Sequence, residues 1–149
     1  MKPHDRKRSS LIFDIERFAT KDGPGIRTVI FFKGCHLRCQ WCQNPESQLS
    51  EVEVMYDAEK CSACGRCMEI CPNDAIRFDP SFGFLTDSEL CVGCGLCTET
   101  CYYDARKRVG MNCEVSTLMA EILKDKSFYE NSGGGVTFSG GNHCFNGIF

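Results

Sequence analysis

The sequence has 149 residues, about the length of one domain, with 13 cysteines and a formal net charge of −3. That charge gives no electrostatic basis for binding nucleic acid, and no segment approaches the ~18 apolar residues of a membrane span. No apolar segment follows the basic N-terminus as in a secretion signal, so we expect a reducing cytoplasm, where clustered cysteines usually bind metal. Two short basic runs, Arg6-Lys7-Arg8 and Arg106-Lys107-Arg108, are interpreted as solvated surface.

The first part of the chain predicts a β-sheet that leads into a cysteine loop. Residues 11–20 alternate loosely between apolar and polar and predict a short strand or hairpin arm, and residues 21–25 have the composition of a turn. The β-branched and aromatic run Thr28–Phe32 lacks alternation, which predicts a strand buried on both faces, as in a parallel α/β sheet. Active sites of α/β barrels and open sheets lie at the C-terminal ends of such strands, and the cysteines follow there.

Cys35, Cys39 and Cys42 are spaced C-x3-C-x2-C and supply three thiolates without a fourth. A [4Fe-4S] cluster normally takes four cysteines, so a three-cysteine loop leaves one iron with the open position that a catalytic metal centre requires. The alternative is a zinc site or three structural thiols. Zinc sites favour paired C-x2-C units with a fourth ligand, and His36 is too close in sequence to Cys35 to complete one tetrahedron with it.

Residues 57–108 are rich in cysteine and contain an internal repeat, in which the pattern that begins at Cys61 recurs from Cys91. Each copy has the spacing C-x2-C-x2-C-x3-C of bacterial two-cluster ferredoxins, so the segment resembles a module that holds two [4Fe-4S] clusters. In these ferredoxins the fourth cysteine of each run binds the other cluster. The resemblance implies one ligand set of Cys61, Cys64, Cys67 and Cys101 and a second of Cys91, Cys94, Cys97 and Cys71.

We interpret this module as a relay of electrons from an external donor to the three-cysteine cluster. The alternative is a purely structural insert or a docking surface for a partner. Two cysteines, Cys113 and Cys144, are left over by these assignments and need no function.

The chain after the module predicts one helix and one strand. Apolar residues of 115–126 fall on one helical face, and Asn112 is the best candidate for the N-cap. Three glycines at 133–135 turn the chain, Val136–Phe138 predicts a second short strand, and Ser139-Gly140-Gly141 follows it. We therefore expect the order strand, cysteine loop, ferredoxin-like module, helix, strand and glycine loop.

Several motifs together resemble the activating enzymes of glycyl radical enzymes, a family of radical S-adenosylmethionine (SAM) enzymes. The motifs are Asp22-Gly23-Pro24-Gly25-Ile26-Arg27-Thr28-Val29, Lys33-Gly34-Cys35, Trp41-Cys42, Asn44-Pro45-Glu46 and the segment from Gly133 to Gly141. The resemblance runs from about Leu11 to Gly141 and is to members similar to the pyruvate formate-lyase-activating enzyme that carry a two-cluster insert. It implies an α/β fold in which residues 1–56 begin a partial (β/α) barrel, 57–108 are the ferredoxin-like (α+β) insert and 109–149 continue the barrel core.

The same resemblance implies an anaerobic, cytoplasmic oxidoreductase with three [4Fe-4S] clusters and SAM as cofactors. SAM would chelate the open iron of the cluster held by Cys35, Cys39 and Cys42. One electron would cleave its C–S bond, and the resulting 5′-deoxyadenosyl radical would take a hydrogen atom from a glycine of a partner enzyme. The implied partners of this monomer are a glycyl radical enzyme and a one-electron donor of the flavodoxin or ferredoxin type, with no nucleic acid and no membrane.

Four further residues have implied roles in binding SAM. Trp41 would pack beside the cluster and the adenine, with core packing as the alternative, and Gln43 follows the third cysteine of the loop. Gly140 and Gly141 would let the backbone approach the methionine end of SAM, with a simple turn after a strand as the alternative.

The family pattern breaks after Gly141. Where the family has Glu, this chain has Asn142, and it ends at Phe149. The predicted elements make one strand-helix-strand unit, which cannot close a barrel. We expect an N-terminal fragment with an unrelated tail, as after a frameshift or a premature stop, and weak or inactive in SAM cleavage. Two other functions stay open: an electron-transfer protein in which only the ferredoxin-like module works, and a zinc-binding interaction module.

Overall fold

The structure, a computed structural model, describes residues 9–141. The predicted basic run Arg6-Lys7-Arg8 and the tail from Asn142 to Phe149, with Cys144, lie outside the described residues. In chain order the strands are β1 (Ser9–Ala19), β2 (Arg27–Phe32), β3 (Glu53–Tyr56), β4 (Ile76–Asp79), β5 (Gly83–Thr86), β6 (Arg106–Val109), β7 (Met111–Glu114) and β8 (Gly135–Gly140). The helices are α1 (Arg66–Glu69), α2 (Leu96–Glu99), α3 (Val115–Leu123) and α4 (Lys126–Ser132), with short 3₁₀ helices at Pro45–Ser47 and Ala58–Lys60.

The chain forms two compact units. The cysteine-repeat unit is Glu51–Val109, and the sheet unit is built from the chain on either side of it, which the structure describes over 9–50 and 110–141. The cysteine-repeat unit begins six residues before 57–108 and ends one residue after it, and β3 at its start pairs with β6 at its end. No helix within the described residues is long and apolar enough to cross a membrane.

The sheet unit contains a four-stranded sheet in the order β7-β1-β2-β8. Strand β1 is antiparallel to β7 and β2, whereas β2 and β8 are parallel, with Phe32 opposite Gly140. Strand β2 therefore lies inside the sheet, and its residues Thr28, Val29 and Ile30 are at most 1% exposed. The prediction of a strand buried on both faces is confirmed, as is the second strand after the glycine turn.

Two helices, and not one, connect β7 to β8. Helix α3 ends at Leu123, three residues before the predicted end at Lys126, and α4 begins at Lys126. Only part of the predicted apolar face is buried, because Leu123 is 56% exposed. The hydrophobic core of the sheet unit is formed by Ile12, Ile30, Phe32, Cys113, Leu118 and Ile122.

The predicted N-cap of α3 is wrong. Asn112 lies in β7 and pairs with Leu11 of β1, so its backbone belongs to the sheet. Glu114 occupies the N-cap position and makes no capping hydrogen bond through its side chain. Pairing with a distant strand has overridden the local capping preference of asparagine.

The cysteine-repeat unit consists of two structurally similar halves. Each half contributes a strand, a four-residue helix and a second strand, and each two-stranded sheet, β3–β6 and β4–β5, takes one strand from each half. Gly65 and Gly95 are the N-caps of these helices, and their φ angles of 77° and 90° favour glycine because a Cβ is strained there. The internal repeat of the sequence is therefore an internal repeat of the structure.

Candidate iron–sulfur sites

The three-cysteine loop begins where β2 ends, and hydrogen bonds close its base. Lys33 is 1% exposed, and its Nζ donates to the backbone carbonyl of Glu46 at 2.6 Å. The backbone N–H groups of Gly34 and Cys35 both donate to the carbonyl of Ser47, at 2.7 and 3.0 Å. The two ends of the loop are thus held together, and the cysteines lie between them.

The three thiols differ in their exposure to solvent. Cys35 and Cys42 are half-buried, whereas Cys39 is exposed. The N–H of Cys42 donates to the carbonyl of Cys39 at 3.2 Å, and the Arg38 guanidinium donates to the carbonyl of Cys35. These bonds order the backbone of the loop through contacts between near neighbours, and they leave the thiols accessible to a cofactor that arrives from solvent.

Trp41 and Gln43 both lie on the surface of this loop. The side chain of Trp41 is 86% exposed, so the alternative that it packs in the core is wrong. Gln43 is exposed as well. A fully exposed indole is unusual in a folded protein and is a common feature of binding surfaces.

Gly140 and Gly141 end β8 beside the start of the cysteine loop. A Cβ on Gly140, whose φ is +85°, would lie 2.5 Å from the carbonyl oxygen of Phe32 in β2, and the N–H of Gly141 donates to that same oxygen at 2.5 Å. The close approach that requires glycine at 140 is therefore made to β2 itself. Because β2 and β8 are parallel, the cysteine loop and the glycine loop leave the sheet at the same edge.

The eight cysteines of the repeat line two cavities of the cysteine-repeat unit, each of about 350 Å³ when the space open to solvent is included. The cysteines of cavity I are Cys61, Cys64, Cys67 and Cys101. The cysteines of cavity II are Cys71, Cys91, Cys94 and Cys97. Each cavity thus takes three cysteines from one copy of the repeat and one from the other, which is the grouping that the ferredoxin resemblance implies.

The donor groups of both cavities suit iron–sulfur clusters. Each is lined by four thiols, the ligand set of a [4Fe-4S] cluster, and no described carboxylate or imidazole lines either one. Within residues 9–141, no three side chains of the His, Cys, Asp or Glu type are grouped as ligands of a single metal ion. One zinc ion draws its thiolates to about 3.8 Å from each other, whereas a four-iron cluster offers each thiolate its own iron.

The local environment favours the thiolate to different degrees in the two cavities. The backbone N–H of Arg66 lowers the pKa of the Cys64 thiol in cavity I. Burial raises the pKa of the Cys97 thiol in cavity II, so there the charge of a bound metal centre would have to stabilise the thiolate.

Sequence reasoning missed one residue of cavity I. Arg106 was assigned to a solvated basic run, but it is 3% exposed and lines cavity I, so that interpretation is wrong for this residue. A comparison of the two copies could have found it, because the first copy has Ile76 at the same position. An arginine in one copy at the position where the other copy has an apolar isoleucine indicates that the two copies differ in chemistry there.

Parts of this chain match two known protein families. Residues 60–105 match a 4Fe-4S dicluster domain, and residues 21–77 match a 4Fe-4S single cluster domain. The first range contains all eight cysteines of the two cavities, and the second contains the three-cysteine loop.

Curated relatives align with most of the chain. It is 45% identical over 139 residues to the benzylsuccinate synthase activating enzyme of Thauera aromatica, covering 91% of this chain and 42% of that protein. It is 53% identical over 131 residues to the trans-4-hydroxy-L-proline dehydratase activating enzyme of Clostridioides difficile, covering 88% and 43%. The choline trimethylamine-lyase activating enzyme of Oleidesulfovibrio alaskensis is 46% identical over 138 residues, covering 91% and 44%. The chain spans less than half the length of these relatives.

Proposed function

We propose, because this chain is homologous over most of its length to activating enzymes of glycyl radical enzymes, that it supplies the SAM-binding cluster loop and the two-cluster insert of such an activase. The observation that carries the proposal is the placement of Cys35, Cys39 and Cys42 directly after a buried parallel strand, beside the glycine loop of the neighbouring strand. Binding sites of α/β sheets lie at this edge. We further propose that β2 and β8 are strands of a partial (β/α) barrel, which 57–108 interrupts.

In this proposal the loop cysteines hold a [4Fe-4S] cluster with one open iron. A cluster with SAM bound supplies one-electron chemistry that the side chains of a protein cannot perform. The protein's own part is to position the thiols. Lys33 closes the base of the loop, and Gly140 and Gly141 bring the end of β8 against the end of β2, where the loop begins. Trp41 and Gln43 are exposed on the same loop and are proposed to contact SAM.

The eight remaining cluster cysteines are proposed to hold two further [4Fe-4S] clusters that pass electrons toward the loop. Support comes from their sorting, four and four, into two cavities that no described carboxylate or imidazole lines. The partner protein is proposed to be a glycyl radical enzyme, and the electron donor a flavodoxin or ferredoxin.

A second candidate function is electron transfer by the insert alone. The specific observation in its favour is that Glu51–Val109 forms a compact unit which contains both cavities. In that case the three-cysteine loop would be dispensable for the redox behaviour of the chain.

Anaerobic reconstitution followed by metal analysis and electron paramagnetic resonance (EPR) tests these functions. We expect iron and acid-labile sulfide rather than zinc, and a reduced EPR spectrum that changes when SAM is added. The Cys35→Ala, Cys39→Ala, Cys42→Ala triple variant should lose the response to SAM and keep the insert signals. The matched Cys61→Ala, Cys64→Ala, Cys67→Ala variant should keep the response.

Each contrary outcome points to a different function. A reconstituted chain with iron but without any response to SAM would favour the electron-transfer module. Zinc with no iron would overturn both candidates. Release of 5′-deoxyadenosine by the isolated chain would contradict the expectation that it is weak or inactive in SAM cleavage.

A further inference from the structure

The two cavities are lined by residues that occupy equivalent positions in the two copies of the repeat. Tyr56 of cavity I corresponds to Thr86 of cavity II, and Arg106 of cavity I corresponds to Ile76 of cavity II. Where two equivalent positions hold different residues, the difference therefore shows how the two sites differ in chemistry. Two such positions differ in charge, Arg66 against Leu96 and Arg106 against Ile76, and of the two arginines only Arg106 is buried.

Arg106 is held rigidly in the interior of the cysteine-repeat unit. One terminal nitrogen donates to Thr86 Oγ1 at 2.7 Å, and the other donates to the carbonyl of Phe84 at 2.6 Å. The guanidinium lies over the ring of Tyr56, with 5.0 Å between Cζ and the ring centroid. Since the guanidinium is planar and both ends are bonded, the direction of its third donor group, Nε–H, is fixed as well.

That third donor has no partner within residues 9–141. Arg106 Nε is buried and makes no hydrogen bond with any described residue. A buried donor without an acceptor destabilises a fold, and native proteins rarely leave one unsatisfied. Arg106 lines cavity I beside its four thiols, and the sulfur atoms of a cluster in that cavity would be acceptors for this donor.

Cavity II offers no equivalent donor. Ile76, at the equivalent position, is 5% exposed and wholly apolar. Two other arginines lie near the cysteine segments. Arg66 lines cavity I next to Cys64, and Arg108 Nε donates to the carbonyl of Gly93 at 2.9 Å. Both are exposed, so solvent screens their charges.

The charge of Arg106 and its hydrogen bond act over different ranges. Arg106 lines cavity I and donates to Thr86, which lines cavity II, so its positive charge lies near both sites. A hydrogen bond is confined to the atom that accepts it, and Arg106 lines only cavity I. The hydrogen bond is thus the contribution that distinguishes the two sites.

We propose that Arg106 donates a hydrogen bond from Nε to a sulfur atom of the cluster in cavity I and so gives this cluster a higher reduction potential than the cluster in cavity II. Hydrogen bonds to sulfur and nearby positive charge both stabilise the reduced, more negative cluster. Each cluster takes one electron from the titrating reductant, with no bond made or broken. The inference rests on the proposed binding of clusters in both cavities, and it makes Arg106 a positioning residue that tunes the potential of one of them.

The test is a potentiometric titration of the reconstituted full chain followed by EPR. Cys64→Ala and Cys94→Ala assign the insert signals to cavity I and cavity II, and the response to SAM identifies the third cluster. We expect the cavity I couple to have the higher midpoint potential. Arg106→Met should lower the reduced-to-oxidised ratio of that couple at a fixed potential about tenfold, or about 59 mV for one electron, and that of cavity II by less. Arg106→Lys keeps the positive charge but removes the Nε–H donor. It should therefore lower the midpoint potential of the cavity I cluster more than that of the cavity II cluster, so that the difference between the two midpoint potentials narrows.

A spectroscopic measurement on the unsubstituted chain keeps the inference falsifiable if Arg106→Met does not fold. With arginine labelled with 15N only at Nε, which leaves the backbone nitrogen of Arg66 unlabelled, the reduced cavity I cluster should show a 15N hyperfine coupling. Arg66→Met and Arg108→Met should retain this coupling, and Arg106→Lys should abolish it. Equal midpoints, a higher midpoint in cavity II, or no arginine coupling in cavity I would overturn the inference. Failure of the chain to bind iron in the two cavities would instead overturn the proposed function on which it rests.

Discussion

Lys33 reaches across the base of the three-cysteine loop and donates from its ammonium group to the backbone carbonyl of Glu46 at 2.6 Å. Lys33 follows β2 directly, whereas Glu46 lies on the return from the loop, and the lysine is 1% exposed. A buried ammonium group is costly unless it is hydrogen-bonded, so the burial of this charge favours the closed loop. The side chain therefore links the end of the strand to the shape of the candidate SAM site.

Replacing Lys33 with Met should loosen the loop while keeping an apolar stem of similar length. We expect the reconstituted variant to lose up to about four irons per chain, because only the cluster of the loop depends on this contact. The response of the EPR spectrum to SAM should weaken in parallel, and the insert signals should stay. Lys107→Met, which removes an exposed lysine of β6, serves as the control. Unchanged iron content and an unchanged response in Lys33→Met would contradict this role.

Pairs of cysteine substitutions test how the eight insert cysteines are shared between the cavities. Cys64 and Cys101 line the same cavity although they come from different copies of the repeat. The Cys64→Ala, Cys101→Ala variant should therefore lose one cluster, or about four irons per chain. Cys64 and Cys71 come from the same copy but line different cavities, so the Cys64→Ala, Cys71→Ala variant should lose about eight. Iron and sulfide analysis distinguishes the two variants, and the reverse result would mean that each copy binds its own cluster.

Features that depend on local pattern could be predicted from the sequence. The unbroken apolar run before Cys35 predicted a strand buried on both faces, because only such a strand tolerates apolar residues at consecutive positions. The cysteine spacing, repeated from Cys61 to Cys71 and again from Cys91 to Cys101, predicted the grouping of thiols that the two cavities display. In both cases the information is carried by neighbours in the sequence.

Features that depend on distant partners were missed or wrong. Asn112 has the residue type of an N-cap, but the backbone of β1 is its partner. Arg106 lies in a basic run, but Phe84 and Thr86 accept its hydrogen bonds in the interior. Asp125 lies at the break between α3 and α4, and its carboxylate accepts a hydrogen bond from Arg17, which is distant in the sequence. No window of a few residues contains these partners.

Gly140 should tolerate no side chain, for reasons of both conformation and space. Its φ of +85° disfavours alanine, and an added Cβ would overlap the backbone of Phe32 at 2.5 Å. Gly133 also has a positive φ, +68°, but nothing lies within 4 Å of an added Cβ there. We expect Gly133→Ala to lower the free energy of unfolding by about 1 kcal/mol and Gly140→Ala by about 2–4 kcal/mol, measured by urea denaturation. Equal losses for the two variants would mean that Gly140 packs less closely against the backbone of Phe32 than the structure shows.

Asp125 joins three elements of the sheet unit through a carboxylate that is almost completely buried. Its residue is 1% exposed, and it accepts hydrogen bonds from Arg17 Nε at 2.7 Å and from Thr28 Oγ1 at 3.1 Å. Tyr129 donates to the same threonine hydroxyl at 2.6 Å. Asp125→Asn keeps the shape but replaces one acceptor oxygen with a donor, so it should lower the free energy of unfolding by about 1–3 kcal/mol. Glu16→Gln, an exposed carboxylate of β1, should change it little.

The contribution of Asp125 to stability should depend on pH in a direction that follows from its partners. The hydrogen bond from Arg17 holds the pKa of this carboxyl below its ordinary value of 3.8, with Thr28 acting in the same sense against the effect of burial. A pKa that is lower in the folded chain means that the unfolded chain binds the proton more readily. The stabilisation is therefore complete above about pH 4 and is lost as the pH falls through the lower, folded value. The difference in free energy of unfolding between the chain and Asp125→Asn should stay constant from pH 7 to about pH 4 and shrink below it. A difference that grew on acidification would show that the carboxylate is not the stabilising form.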